Sequence, residues 1–128
     1  MQRESSSSVR IFWPKFDREA LIRKLKEGVK ELQRRLPLRR VVLFGSYSRD
    51  SYTVASDVDL LVVYKGHHRE DGFSIVKRVL DIPLLEPHLY SEEEYEGLKG
   101  RIDRMTAEGV VLFSADPLPE AGLDTRRI

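Results

Sequence analysis

Two acidic residues and a Gly-Ser pair stand at the ends of neighbouring apolar segments. Gly45-Ser46 closes the first segment, and Asp57-Val58-Asp59 opens the second after ten intervening residues. Because alternate side chains of a strand point to the same face, Asp57 and Asp59 are predicted to project together. Mg²⁺ is typically held by one or two carboxylates together with the phosphates of a substrate. The spacing therefore predicts a site for a metal-bound nucleoside triphosphate.

The Gly-Ser pair predicts a turn that a phosphate group can approach closely. Gly adopts backbone conformations that other residues avoid, and the hydroxyl of Ser46 can donate to a phosphate oxygen. Such a pair alone is an ordinary turn. Asp57 alone also suits a solvated turn, but Asp59 does not, because Asp is depleted from strands and an apolar run follows it at once. The whole set of residues favours a metal and nucleotide site over a plain loop.

The run from Gly45 to Asp59 resembles a known signature. A Gly-Ser pair, ten residues and Asp-x-Asp between apolar strands is similar to the motif of the DNA polymerase β-like nucleotidyltransferase superfamily, in particular its minimal, stand-alone members. The resemblance is strongest over residues 41–64 and extends across residues 17–114. It implies a polymerase β-like fold and the transfer of a nucleotidyl group.

The resemblance also implies roles for individual residues. Gly45 and Ser46 would bind the triphosphate, and Arg49 falls where many relatives place a basic residue of the nucleotide site. Asp57 and Asp59 would ligate Mg²⁺, either one ion or two. ATP is the implied nucleotide substrate.

Two positions depart from the family's usual pattern. Ser48 stands where Ala is usual, and Asp50 stands where Gly is usual. Asp50 adds a negative charge beside the predicted polyphosphate site, and this charge opposes nucleotide binding. Asp is compatible with a turn, so the fold is expected to tolerate it.

The family normally supplies a third carboxylate from a later strand. Glu86 and Asp81 are the two candidates, both within residues 80–90. Glu86 lies in an apolar, strand-like run and is preferred, as a metal ligand or general base. Asp81 precedes Pro83 and suits the turn that begins the strand. If the strand is regular, His88 lies on the same face as Glu86 and can approach the metal site, although a position on the surface is the expected outcome.

The resemblance further implies a reaction and a partner. The reaction is transfer of AMP from ATP to an acceptor hydroxyl, with pyrophosphate leaving. Minimal members act as antitoxins of small HEPN-domain RNases, and some of them nucleotidylate a tyrosine of the partner. A HEPN-type protein is therefore the implied acceptor. The chain would act in a homo- or hetero-oligomer. One alternative is a catalytically idle, nucleotide-binding subunit that neutralises its partner by complex formation, and another is a two-metal hydrolase.

Apolar periodicity predicts an α/β (α+β) domain in which helices pack on a small mixed sheet of three to four strands. Asp17 is predicted to cap a helix that runs to about Leu36, and Ser91 with Glu94 to form the capping box of a helix through about Glu108. A short helix is predicted around residues 73–80. Strands are predicted at 41–45, at 58–64, in the run that contains Glu86, and at 110–113.

Composition limits the classes of protein that the chain can be. Residues 15–114 are predicted to form the nucleotidyltransferase domain, between a disordered arm at 1–14 and a flexible tail at 115–128. The 22 basic and 21 acidic residues leave a net charge of +1, which gives no electrostatic case for nucleic-acid binding. Cysteine is absent, which excludes disulfides and thiolate catalysis. No apolar stretch has membrane-spanning length and no signal-peptide core begins the sequence, so we expect a cytoplasmic protein.

Overall fold

The computed structural model describes residues 17–49 and 56–115. The predicted arm at 1–14 lies outside these ranges, as does the predicted tail from residue 116 onward. The described elements, in chain order, are α1 (Arg18–Leu32), β1 (Leu38–Phe44), a 3₁₀ turn (Gly45–Arg49), β2 (Val58–Tyr64), α2 (Gly72–Leu80), β3 (Leu85–Ser91), α3 (Glu92–Met105) and β4 (Val110–Ser114).

The four strands form one mixed sheet in the order β3-β2-β1-β4. β1 pairs antiparallel with β2 and with β4, whereas β2 and β3 are parallel. Parallel neighbours need a crossover, and α2 supplies it. The prediction of a small mixed sheet packed with helices is therefore confirmed. β1 begins earlier than predicted, at Leu38, because Leu38 already pairs with Tyr64 of β2.

Helices cover both faces of the sheet. α1 and α2 bury one face, and the buried apolar residues that they contribute are Leu21, Leu25, Val29, Leu32, Val76 and Leu80. α3 covers part of the other face, where Tyr95 and Ile102 pack with Val42, Leu61 and Val63. β1 and β2 are therefore apolar on both faces, as expected for strands between two helical layers.

Two helices end before the predicted residues. α1 ends at Leu32 and not at about Leu36, because Arg34 and Arg35 donate their backbone N–H groups to carbonyls three residues back, at 3.0 and 2.9 Å. These bonds tighten the chain into turns ahead of Pro37. α3 ends at Met105 rather than at about Glu108. The next residue, Thr106, caps the helix, and its hydroxyl donates to the Ile102 carbonyl at 2.9 Å.

The predicted capping box at the start of α3 is confirmed. The Ser91 hydroxyl accepts from the Glu94 backbone N–H at 3.1 Å, and the Ser91 N–H donates to Oε1 of Glu94 at 2.8 Å. The bond from the Ser91 N–H is the largest cause that holds the pKa of Glu94 below its ordinary value; His68 also contributes.

The Ser91→Ala substitution removes the side-chain acceptor of this cap. It should lower the free energy of unfolding by about 1 kcal/mol, measured by urea titration.

The depressed pKa of Glu94 also predicts a pH dependence. A carboxyl group with a lowered pKa in the folded state stabilises the protein above its unfolded-state pKa, and this contribution is lost as the pH falls through the folded-state pKa. Glu94→Gln keeps an acceptor for the Ser91 N–H but removes the charge. Urea titrations between about pH 6 and about pH 3 should therefore show a smaller loss of stability for Glu94→Gln than for the wild type. Equal losses would contradict this assignment.

Candidate functional site

Parallel pairing of β2 with β3 brings two of the predicted acidic residues together. Asp59 and Glu86 are register partners on adjacent strands. Asp59 shares its sheet face with Leu61 and Val63, which α3 covers. Glu86 is exposed and the Asp59 side chain is 27% exposed, so this end of the face is open to solvent. The two carboxylates therefore stand beside the apolar cluster under α3, at the uncovered end of the sheet.

The Gly-Ser turn lies directly against Asp59. Phe44, the last residue of β1, is the register partner of Asp59, so Gly45 begins the 3₁₀ turn at the same level of the sheet. Gly45 has a φ of +78°, and a methyl group on its Cα would collide with Oδ2 of Asp59. Glycine at this position is thus required twice, by the left-handed backbone and by the approach of the carboxylate.

Two contacts that the sequence did not predict hold this turn in place. The Tyr47 side chain is buried in the core between the sheet and α1. Arg18, in the first turn of α1, donates from Nε to the Tyr47 carbonyl oxygen at 2.8 Å. An aromatic residue two positions after Gly45 is the only signal that the sequence offered, since the Arg18 bond joins residues 29 apart.

The other residues predicted for the nucleotide lie on the same turn. Ser46 follows Gly45 in the 3₁₀ turn and is half-buried. Arg49 ends the turn, and the prediction for its side chain lies outside what the structure describes. Asp50, the acidic departure from the family's pattern, is outside the described residues as well.

The two other acidic candidates, Asp57 and Asp81, lie in different parts of the fold. Asp57 is exposed and immediately precedes β2, two residues before Asp59. Asp81 ends α2 in a left-handed conformation, with φ of 49°, and its backbone N–H bonds to the Lys77 carbonyl. Asp81 thus belongs to the turn before β3, whereas Glu86 lies inside β3 beside Asp59.

His88 lies beside the site, as its shared strand face with Glu86 allowed. Its Nε2 lies 3.3 Å from Oδ1 of Asp59, and its ring meets the Phe44 ring edge-on with centroids 4.9 Å apart. The His88 side chain is 32% exposed, so it is a partly buried neighbour of the acidic pair and not a simple surface residue.

The sequence of this chain matches the model of one protein family. The nucleotidyltransferase domain family matches residues 22–112, more than two thirds of the chain. The chain belongs to this family. The predicted membership of the polymerase β-like nucleotidyltransferases is thereby confirmed, and the matched range contains the Gly-Ser turn, both strands of the acidic pair and α3.

A solved structure agrees with the assignment. A nucleotidyltransferase-family protein from Sulfolobus solfataricus aligns with this nucleotidyltransferase at a TM-score of 0.57 and 25% sequence identity, over 77% of this chain and 85% of that one. No curated protein matches the chain. Within the described residues, no helix is long and apolar enough to cross a bilayer.

The residues at the acidic end fit a divalent cation of the kind that nucleotidyltransferases use. Mg²⁺ needs only one or two protein carboxylates when phosphate oxygens complete its shell. Asp59 and Glu86 are adjacent and partly or fully exposed, and Asp57 lies two residues before Asp59 in the chain. Among residues 17–49 and 56–115 no three His, Cys, Asp or Glu side chains form a ligand group by themselves. The predicted ligands Asp57, Asp59 and Glu86 are therefore not gathered into one three-residue group, and of these only Asp59 and Glu86 are register partners.

Proposed function

We propose that this nucleotidyltransferase transfers AMP from ATP, with Mg²⁺, to a hydroxyl group of a protein acceptor. The observation that carries the proposal is the contact of the Gly45 backbone with the Asp59 carboxylate, which is itself paired in register with Glu86. A phosphate-binding turn and metal-binding carboxylates must lie close together if a metal is to bridge protein and triphosphate. These residues satisfy that condition.

Each residue has a role in the proposed reaction. Gly45 and Ser46 bind the triphosphate, with Arg49 as the basic residue at the end of the turn. Asp57 and Asp59 hold the cation, together with Glu86. The bound Mg²⁺ neutralises charge on the phosphates.

Glu86 is the proposed general base. The acceptor oxygen forms a bond to the α-phosphorus of ATP, and its proton passes to the Glu86 carboxylate. The bond between the α-phosphorus and the bridging oxygen breaks, and pyrophosphate leaves with the electron pair. Glu86 is suited to this role because it is exposed beside Asp59, where an acceptor group can reach it.

The acceptor is proposed to be a separate protein of the HEPN type, for which the chain would act as antitoxin. The residues that the structure describes form one sheet with its helices and include no second domain that could hold a large acceptor. The net charge of +1 also gives no support to a nucleic-acid acceptor. A small protein that presents a hydroxyl at the open end of the sheet suits these features.

Transfer of label from α-labelled ATP to a co-purified HEPN protein tests the proposal. With Mg²⁺ present we expect labelled partner, and mass spectrometry should show the mass of added AMP. Glu86→Gln should lower kcat about 100-fold, the usual contribution of a general base. Asp81→Asn is the matched control, because Asn tolerates the left-handed conformation of that position, and its rate should equal that of the wild type.

Other outcomes would identify the alternatives. An unmodified but stable complex, with ATP binding retained, would identify a nucleotide-binding subunit that acts by complex formation. Release of inorganic phosphate or of AMP to water, without a labelled partner, would identify a hydrolase. A loss of rate in Asp81→Asn and not in Glu86→Gln would make Asp81 the third carboxylate.

A further inference from the structure

His88 has a position relative to Asp59 that strand geometry explains. Asp59 is paired with Glu86, and Leu61 is paired with His88. His88 is therefore diagonal to Asp59 on the same sheet face, a separation that a long or aromatic side chain can span. It does so, because Nε2 of His88 lies 3.3 Å from Oδ1 of Asp59.

The His88 ring is fixed from a second direction. It packs edge-on against Phe44, with the ring planes 62° apart and the centroids separated by 4.9 Å. Phe44 is buried at the end of β1 and is the register partner of Asp59. Three adjacent strands thus place Phe44, Asp59 and His88 side by side, and the imidazole cannot turn away from the carboxylate without losing this contact.

The two oxygens of Asp59 consequently have different neighbours. Oδ1 faces Nε2 of His88, and Oδ2 lies against the Cα of Gly45. Since a carboxylate can only accept, Nε2 of His88 must carry the proton of this hydrogen bond. The bond restricts rotation of the carboxylate about its side-chain torsions and leaves the oxygen next to the Gly-Ser turn in a defined place.

We propose that His88 is a positioning residue that orients Asp59 and thereby sets the affinity of the site for a divalent cation. The inference rests on the proposed function, in which Asp59 binds the cation. Residues that hydrogen-bond to a metal ligand hold that ligand in its binding orientation. Substituting such a residue commonly lowers the affinity for the metal about 10- to 100-fold. His88 acts through Asp59 and contacts neither nucleotide nor acceptor in this role.

Two substitutions separate the hydrogen bond from the ring packing. His88→Phe keeps an aromatic ring beside Phe44 and removes the donor, whereas His88→Gln keeps an N–H donor at a similar reach and removes the ring. The affinity for Mn²⁺ is measured by electron paramagnetic resonance of the free ion, in the presence of α,β-methylene-ATP, which supplies phosphate oxygens but cannot transfer AMP, and Mn²⁺ binding by the analogue without protein is subtracted. We expect His88→Phe to bind Mn²⁺ about 10- to 100-fold more weakly and His88→Gln to remain within about threefold of the wild type.

Two further readouts distinguish positioning from a structural role. The midpoint of urea unfolding should fall for His88→Gln, which loses the ring contact, and stay near the wild-type value for His88→Phe. In the transfer assay, His88→Phe should raise the apparent KM for Mg²⁺ and keep kcat at saturating Mg²⁺. Wild-type Mn²⁺ affinity in His88→Phe, or equal weakening in both variants, would overturn the inference.

Failure of this inference and failure of the proposed function have different signatures. If Asp59→Asn binds Mn²⁺ as tightly as the wild type, the cation does not bind at Asp59 and the proposed function is wrong. If Asp59→Asn loses Mn²⁺ binding while His88→Phe retains it, the proposed function stands and only the positioning role of His88 is overturned.

Discussion

Asp59→Asn is expected to lower kcat for nucleotide transfer about 10³-fold, the upper end of the range for removal of one charge-stabilising group. Among residues 17–49 and 56–115, Asp59 is the one acidic residue that both touches the Gly-Ser turn and is paired in register with Glu86. Asn has the same shape but no charge, so the geometry survives and the attraction for a cation is lost. Transfer from α-labelled ATP measures the effect.

The fold should withstand this substitution. The Asn oxygen can still accept from Nε2 of His88, and repulsion between two neighbouring carboxylates is removed. We expect the free energy of unfolding in urea to change by less than about 1 kcal/mol. Asp71→Asn is the control, because it removes the same charge at the opposite end of β2, where Asp71 pairs with Arg69. The transfer activity of the Asp71→Asn variant should equal that of the wild type. A wild-type rate in Asp59→Asn would place the catalytic carboxylates elsewhere.

Gly45→Ala should be the most destabilising single substitution near the site. The left-handed backbone costs a non-glycine residue about 1–2 kcal/mol, and crowding against Oδ2 of Asp59 adds about 1–3 kcal/mol. The free energy of unfolding should therefore fall by about 2–5 kcal/mol in total. Where the protein stays folded, displacement of Asp59 should also reduce transfer about 100-fold or more.

Gly66→Ala is a matched control for this prediction. Gly66 also has a positive φ, of +91°, but an added Cβ there meets no atom within 4 Å. It should cost only the left-handed strain, about 1 kcal/mol, and leave transfer intact. Urea unfolding and the transfer assay on both variants separate backbone strain from the contact with Asp59. Equal effects of the two substitutions on activity would show that the contact has no role in the site.

The local features of the site were predictable from the sequence. Alternation of side chains along a strand is a property of consecutive residues, so it placed Asp59 at the head of a buried strand correctly. Val58–Tyr64 is a strand over the predicted residues, and the capping box of Ser91 and Glu94 is present as expected. The ends of the helices were less predictable. After Leu32 and after Met105 the chain can form either a turn or one more turn of helix, and these differ only slightly in hydrogen bonding.

The two candidates for the third carboxylate show what strand register adds to a prediction from the sequence. Asp81 and Glu86 lie five residues apart, and both precede or enter the same strand. The sequence favoured Glu86 because it lies in a strand-like run, but only the parallel register of β2 and β3 places it beside Asp59. Register depends on hydrogen bonds between segments about thirty residues apart, which no local pattern encodes.

The sequence by itself determined that a Gly-Ser turn and two aspartates flank two buried strands, and that this spacing suits a nucleotide and a metal ion. The tertiary structure alone decided which groups surround Asp59. Gly45 touches it because β1 and β2 are antiparallel, and His88 reaches it because β3 is the parallel neighbour of β2. Spacing along a chain limits the chemistry that its residues can perform, but only strand pairing brings their atoms within bonding distance.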